Sequence, residues 1–421
     1  MSTLRVPSSG ALCPSLPVTL APPKSVLRVA LAGCGTVGGA LAAQLIAVPH
    51  IGRRRVEIVK VLVRDPRKAR TIALRPGVVT DSLAAFLSVS CDVVVETIGG
   101  REPARTIVAA ALVQGRRVVT ANKALVAAEG ASLASLAARF GGQLDFEGAV
   151  GGCLPVVRAL RSGAAGVGVT RIRGVLNGTS NFVLDRVMRG ASPADAIREA
   201  QQLGFAEADP SRDLDGIDAS DKIAILAWLT FGVAPHMLPV VTRSLADALA
   251  LAPYAARVGA RVAQLAECAV TEQGLVARVE PALVGLGHDL ARVSGESNAL
   301  TVESASAGTI LFAGLGAGGD PTAGALHGDL GAMSPPLPTP RAVHLSSRDD
   351  RALPWVLLVL GATDLAREAI EAHVTAGRAT SSTLTAHARL LSFSESPAGA
   401  LEWHSELARL GETVALARDM R

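Results

Sequence analysis

The chain has 421 residues, 49% hydrophobic and 19% charged, which excludes a disordered protein and a single small module and calls for two or three packed domains. Lys and Arg exceed Asp and Glu only by 41 to 37, without a basic run, and aromatic residues are 3% of the chain. This argues against a nucleic-acid surface, which needs clustered cations or stacking rings.

Residues 1–25 contain Ser8, Ser9, Pro14, Pro17, Pro22 and Pro23 and lack a charged start followed by a continuous apolar core. They read as a flexible tail rather than a signal peptide. Val26 to Ala32 is an apolar run followed by Gly33-Cys34-Gly35-Thr36-Val37-Gly38-Gly39 and an alanine- and leucine-rich stretch, a strand, glycine turn and helix. Further strands are expected at 56–63, 92–97, 117–120 and 143–146, with helices between them. Alternation of this kind predicts an α/β fold: a Rossmann-type doubly wound nucleotide-binding domain over residues 26–150.

A second, α+β domain is expected over 151–310, with glycine and valine runs, the acidic stretch Glu207 to Asp221, and an alanine-rich helical region to about Ala269. Ile223 to Thr242 carries no formal charge, but Gly232, Pro235, His236 and Pro239 interrupt it, which favours a buried helix and loop over a membrane span. Glycine returns around Gly314 to Asp329, within a segment at 311–335. After the Pro/Ser-rich linker Ser334 to Pro340, residues 342–421 form a separate small α/β segment.

Five cysteines, Cys13, Cys34, Cys91, Cys153 and Cys268, are far apart, odd in number and contain no Cys-x-x-Cys pair; a reducing, cytoplasmic compartment fits best. The spacing Gly33-x-Gly35-x-x-Gly38 permits a tight turn, close approach to a pyrophosphate and tight packing of the helix, whose free N–H groups attract the anion. At the end of the second strand Arg64, Arg67 and Lys68 suit a 2′-phosphate, while Asp65 could accept a ribose hydroxyl, so NADP is favoured with NAD still possible.

Asp218 and Lys222 are four apart on an expected helix, hence on one face. An isolated pair so spaced is an ordinary surface ion pair. Glu207, Asp209, Asp213 and Asp215 precede it, however, and like charges gathered in a loop ask for a cation such as an amino-acid ammonium. Lys123 follows a strand at the carboxyl edge of the sheet, within reach of cofactor or substrate.

These stretches together resemble the homoserine dehydrogenase family over about residues 26–335: GCGTVGG at the glycine turn, VETIGG at 95–100, TANKALVA at 120–127, EGAVGGCLP at 147–155, GVLNGTSNFVL at 174–184, EADPSRDLDGIDASDK at 207–222 and GLGAGGDPTAGALHGDL at 314–330. The resemblance implies oxidoreduction between aspartate semialdehyde and homoserine with NAD(P). Lys222 would be the proton donor and acceptor, Asp218 would orient it, and Lys123 would assist between cofactor and substrate. Glu207, Asp213, Gly178 and Thr179 would hold the substrate, while Gly33, Gly35, Thr36, Val37, Gly38, Arg64, Thr97, Lys123 and Gly316 would hold the cofactor. A structural monovalent cation, sodium or potassium, would sit on Glu147 and the carbonyls of Val150, Gly152 and Leu154. A homodimer is implied as well, with residues 151–310 as the substrate and dimerisation domain and 311–335 as the segment that returns to the nucleotide domain. The chain departs from the family at Gly151-Gly152-Cys153, where Ala-Gly-Gly is usual, and in lacking the usual start of a regulatory domain after Arg341.

Two rivals follow from the residues. A thiol-acylating semialdehyde dehydrogenase would use Cys153, which needs a nearby base, yet no histidine lies between His50 and His236. A cofactor-sensing binding protein would have no use for Lys222 and its acidic loop.

Overall fold

The computed structural model describes residues 26–332, 334–360, 364–385, 388–409 and 413–421; the segment 1–25, read above as a tail, and Cys13 lie outside the described residues. The first unit runs β1 (Val26–Ala32), α1 (Thr36–Ala47), β2 (Arg54–Leu62), β3 (Val93–Glu96), α2 (Ala104–Val113), β4 (Arg117–Thr120), α3 (Lys123–Phe140) and β5 (Gln143–Asp145). Strand order is β2-β1-β3-β4-β5 with every pair parallel. The chain leaves β1 toward β2 and returns on the other side as β3, so the crevice beyond the ends of β1 and β3 is the switch point where such sheets take ligands. Helices cover both faces, which is why the strands are apolar on both: Val29, Leu31, Val95 and Val119 pack on one side and Ala30, Val94 and Val118 on the other.

The second unit contains β6 (Val169–Val175), α4 (Gly178–Met188), α5 (Pro193–Gln202), α6 (Ile217–Phe231), β7 (Ala260–Thr271), β8 (Gly274–Gly285), β9 (Ser297–Ser304) and β10 (Gly308–Leu315). Here the structure corrects the expectation of helix to about Ala269. Helix α6 stops at Phe231, where Gly232 at φ 76° turns the chain and donates its N–H to Trp228 O. Ala260 to Thr271 is instead a central strand, paired with both β6 and β8. Val262, Ala266 and Cys268 face one layer and Ala263 and Leu265 the other. Burial on both faces erases the alternation that marks a strand, and ladder bonds on both edges outweigh the helix propensity of its alanines.

The uncharged run from Ile223 is the inner length of α6, with Ile223, Ile225, Leu226 and Trp228 fully buried and Trp228 stacked on Phe146 at 5.9 Å. Among the described residues no helix is long and apolar enough to cross a membrane. Helix α7 (Gly319–Gly331) crosses back to the first unit, where Ala323, Leu326 and Leu330 join the core of Leu27, Leu41 and Leu45. Arg117 at the start of β4 ties it down by donating to the carbonyls of Asp329, Leu330 and Ala332.

The chain ends in β11 (Leu353–Leu360), α8 (Asp364–Thr375), β12 (Ala379–Thr385), β13 (Ala388–Glu395), α9 (Pro397–Arg409) and β14 (Thr413–Met420). Strand β14 pairs in parallel with β8 through Ala282–Val284 and Arg418–Met420. The second sheet therefore runs unbroken as β10-β9-β6-β7-β8-β14-β11-β13-β12. Where the two parts meet, Arg418 is buried and paired with Glu280 at 2.8 Å.

Candidate active site

Gly33, Gly35 and Gly38 form the turn between β1 and α1. A side chain on Gly33 would meet Thr97 O at 2.8 Å and one on Gly38 would meet Gly33 O at 2.3 Å, whereas the Cβ position of Gly35 faces open space. Two of the glycines are thus fixed by packing, and the third opens the backbone to a ligand. Helix α1 begins at Thr36 with no side-chain cap and no acid in its first turn, so its N–H groups are available to an anion. Thr97 closes the turn from behind, donating its hydroxyl to Ala32 O and Gly33 O at 3.1 Å. A cavity of about 700 Å3 opens here, lined by Gly33, Gly35, Arg64, Lys68, Arg70 and Thr97 among others. Arg64 and Asp65 are exposed at its rim. Asp65 Oδ1 accepts from the backbone N–H of Arg67, and Arg70 braces the loop by donating to the carbonyls of Asp65, Pro66 and Lys68. A dinucleotide fits this donor set: glycine backbone and helix N–H for its phosphates, cationic side chains for one further phosphate.

On the far side of the crevice Asp218 and Lys222 occupy the first two turns of α6, both buried. Asp218 Oδ2 lies 2.8 Å from Lys222 Nζ. Its Oδ1 lies 2.5 Å from Nζ of Lys123, which begins α3 in the other unit. The carboxylate thus joins two ammonium groups from two parts of the molecule. Lys222 Nζ also donates to Leu176 O at 2.6 Å. Burial pushes the Asp218 carboxyl up, but Lys222 and Lys123 outweigh it and hold it well below the usual carboxylate range. Burial lowers the Lys222 ammonium below its ordinary value against the pull of Asp218. Lys123 is also drawn down by burial, yet Asp218 prevails and raises it; its side chain is 42% exposed, against 8% for Lys222. One lysine is therefore shielded and holds its proton less firmly than an exposed lysine would, while the other holds its proton more firmly.

Asp213, on the turn before α6, accepts from Asn177 Nδ2 at 2.7 Å, and the same amide donates to Asp218 Oδ2 at 2.8 Å. Burial raises the Asp213 carboxyl. Thr179 donates its hydroxyl to Phe205 O, and Gly178, the first residue of α4, leaves no room for a side chain because Glu296 O would stand 2.8 Å from it. Glu207 is exposed on the loop after α5, and among the described residues nothing pairs with its carboxylate; the structure links Asp213, but not Glu207, to the lysine cluster, through the amide of Asn177.

Glu147 is buried between the units. Its carboxylate accepts from the backbone N–H of Val157 and Arg158 at 2.8 and 2.9 Å, and burial together with the Asp329 carboxylate has it pushed up to about 7. The following loop turns through Gly151 and Gly152, at φ 75° and 62°, against Leu315 and Gly316; a Cβ on Gly152 would meet Leu315 O at 2.6 Å. Among the described residues no donor engages the carbonyls of Val150 or Gly152, while Leu154 O accepts from Val156 N. Cys153 is exposed and its thiol donates to Leu315 O at 3.4 Å, which supplies no base for a nucleophile.

A family model described as homoserine dehydrogenase matches residues 155–330, and one described as its NAD-binding domain matches 33–147. The homoserine dehydrogenase of Corynebacterium glutamicum is 40% identical over 320 residues, covering 73% of this chain and 72% of that one. The chain belongs to the homoserine dehydrogenase family. The enzyme of Synechocystis is 37% identical over 315 residues. A homoserine dehydrogenase structure from Thiobacillus denitrificans superimposes with a TM-score of 0.83 at 28% identity, covering 93% of this chain and 98% of that one. A hyperthermophilic archaeal homoserine dehydrogenase in complex with NADPH gives 0.61 at 25% identity over 72% of this chain and 96% of that one. As a homoserine dehydrogenase the chain is an oxidoreductase that uses a nicotinamide dinucleotide, and the sensor and acyl-transfer readings are not favoured.

Sequence reasoning passed over three residues that build this homoserine dehydrogenase site. Asn177 caps α4, its Oδ1 accepting from Ser180 N, and the run Asn-Gly-Thr-Ser carries that signal; nothing local shows that its amide hydrogens go to Asp213 and Asp218. Glu96 is fully buried and accepts from the N–H of Ile98 and Gly99 and from Thr120, fixing the ends of β3 and β4 together. Asn122 caps α3 and donates to Gly100 O, which sets the position from which Lys123 departs.

Proposed function

We propose that this homoserine dehydrogenase interconverts L-aspartate 4-semialdehyde and L-homoserine with NADP as the preferred cofactor, Lys222 exchanging the proton at the substrate oxygen. The observation that carries the reading is the convergence of Lys222 and Lys123 on Asp218, 2.8 and 2.5 Å away, at the carboxyl edge of the parallel sheet. An ammonium has three hydrogens. Those of Lys222 include one to Asp218 and one to Leu176 O, leaving one for a substrate oxygen. Asp218 orients the lysine, and Lys123, charged and accessible, stabilises negative charge growing on that oxygen. Asp213, Gly178 and Thr179, with Glu207 from the adjoining loop, hold the amino-acid end of the substrate. When bound, the nicotinamide supplies or takes up the hydride.

Gly33, Gly35, Thr36, Val37, Gly38, Thr97, Lys123 and Gly316 hold the dinucleotide, and Arg64 takes its 2′-phosphate; the exposed cations at the cavity rim and the NADPH bound by the archaeal relative support this choice. Asp65, occupied by its own loop, is the weaker rival for an NAD ribose. A sodium or potassium ion on Glu147 and the carbonyls of Val150, Gly152 and Leu154 has a structural role; the carbonyls of Val150 and Gly152, which no donor among the described residues engages, are oxygen ligands of the kind a hard cation takes. We place the protein in the cytoplasm as a homodimer serving threonine, methionine and isoleucine biosynthesis, with domains at 26–150, 151–310 and 311–335 and a divergent regulatory segment at 342–421. The test is the initial rate of aspartate semialdehyde reduction with NADPH and with NADH. A higher kcat/KM with NADPH is expected, and equal or reversed values would overturn the cofactor preference.

A further inference from the structure

Strand β6 hands over to α4 at the peptide joining Leu176 to Asn177, and that peptide serves the lysine cluster from both ends. Its carbonyl accepts Lys222 Nζ at 2.6 Å. The side chain that follows donates to Asp213 and Asp218. A rotation of this peptide plane would therefore carry the lysine's acceptor away from its ammonium.

Asn298 is the group that holds the plane. It lies on β9 opposite Gly314, just beyond the last pairing of β9 with β6 at Ala299 and Val175, and it is completely buried. Its Nδ2 donates to Leu176 O at 2.9 Å, so the carbonyl that anchors Lys222 has a second donor from the neighbouring strand. Its Oδ1 finds no donor among the described residues and lies against Gly316, where a side chain would come within 2.3 Å of it. A buried amide with one unpaired end carries a desolvation cost that a leucine of similar shape would avoid, which argues for a role beyond filling space.

We propose that Asn298 is a positioning residue for proton transfer: by sharing Leu176 O with Lys222 it fixes the 176–177 peptide and weakens that carbonyl's hold on the ammonium. The inference rests on Lys222 being the proton-transfer group. A carbonyl already engaged by one donor binds a second less strongly. With Asn298 present, Lys222 is easier to deprotonate and its free hydrogen keeps its direction. Without Asn298, Leu176 O belongs to Lys222 alone and stabilises the charged form. The charged groups facing Lys222 are Asp218 and Asp221 on its own helix, Lys123 from α3 and Asp213 from the preceding turn, and none is altered by replacing Asn298.

The experiment compares Asn298→Leu, which keeps the volume and excludes water, with wild type and with Thr301→Val. Thr301 lies on the same strand and donates its hydroxyl to Arg173 O, so it reports loss of a buried strand-to-strand bond away from Lys222. Asn298→Leu is expected to lower kcat about threefold to tenfold, the loss of one hydrogen bond. It should also move both the acid limb of homoserine oxidation and the alkaline limb of semialdehyde reduction upward by about half a pH unit. NADPH affinity, followed by fluorescence titration, should stay within about twofold on the same argument, and Thr301→Val should move neither limb. Asn298→Asp, whose ionised carboxylate favours the charged lysine, should shift the limbs further in the same direction and serves if the leucine variant does not fold. Limbs that stay in place with cofactor bound overturn the proposal for Asn298, while retained turnover in Lys222→Ala overturns the reading of Lys222 on which it rests.

Discussion

Replacing Asp218 by Asn keeps the shape of the side chain and removes the one charge that joins the two lysines. In the wild type Lys222 is 8% exposed, 2.8 Å from Asp218 and lowered already by burial. Removing one partner of a buried ion pair costs about 3–5 kcal/mol because the other charge is left uncompensated. Lys222 can escape that cost by releasing its proton. Taking the lower end, about 3 kcal/mol corresponds to a fall of about two units in the lysine pKa. Reduction of the aldehyde needs the ammonium and is lost as pH rises through its pKa, so in Asp218→Asn that loss begins about two units lower. Oxidation of homoserine needs the neutral amine, and its acid limb should move down by the same amount. The maximal reduction rate should fall about a hundredfold through lost orientation and lost proton donation. Initial rates of NADPH oxidation and NADP reduction across pH, with cofactor binding measured separately, provide the assay. Limbs that stay fixed while the cofactor still binds would refute the claim that Asp218 sets the protonation of Lys222.

Arg64→Ala should weaken NADPH about tenfold, less than a buried charge-assisted bond because the side chain is exposed, and leave NADH within about twofold; equal losses in a fluorescence titration would contradict a 2′-phosphate contact. Arg418→Met removes the partner of Glu280 at the join between β8 and β14 and should destabilise by about 3–5 kcal/mol in chemical denaturation. The carboxylate left behind has its pKa raised by burial, so in the variant its protonated form is the stable one: the deficit should be greatest at neutral and higher pH and shrink as pH falls into the carboxylate range. A wild-type melting curve would show that the pair contributes nothing to this join.

What the sequence made legible was chemistry fixed by short spacing. Gly33, Gly35 and Gly38 declare a phosphate turn because the helix follows within the same few residues, and Asp218 and Lys222 share a helix face by their four-residue separation. Lys123 could be placed at a strand end, but its bond to Asp218 depends on how α3 packs against α6 across the crevice, which no local pattern encodes. Asn298 left no trace at all: it stands in a strand of mixed polar and apolar residues with no motif around it, and only the return of β9 beside β6 brings it to Leu176 O. The alanines of β7 misled for a related reason, since intrinsic propensity yields when a strand is paired on both edges and buried on both faces. The C-terminal βαββαβ unit, expected only as a small α/β segment, carries no local sign of its pairing, because β14 completes a sheet begun more than a hundred residues earlier.

The most direct test of the site is the rate of NADPH oxidation with saturating aspartate semialdehyde in Lys222→Ala against wild type, with NADPH affinity measured on the same samples. A loss of about a hundredfold or more with the affinity unchanged is expected if Lys222 moves the proton at the substrate oxygen; turnover near the wild-type rate would assign that step to another group and contradict the account.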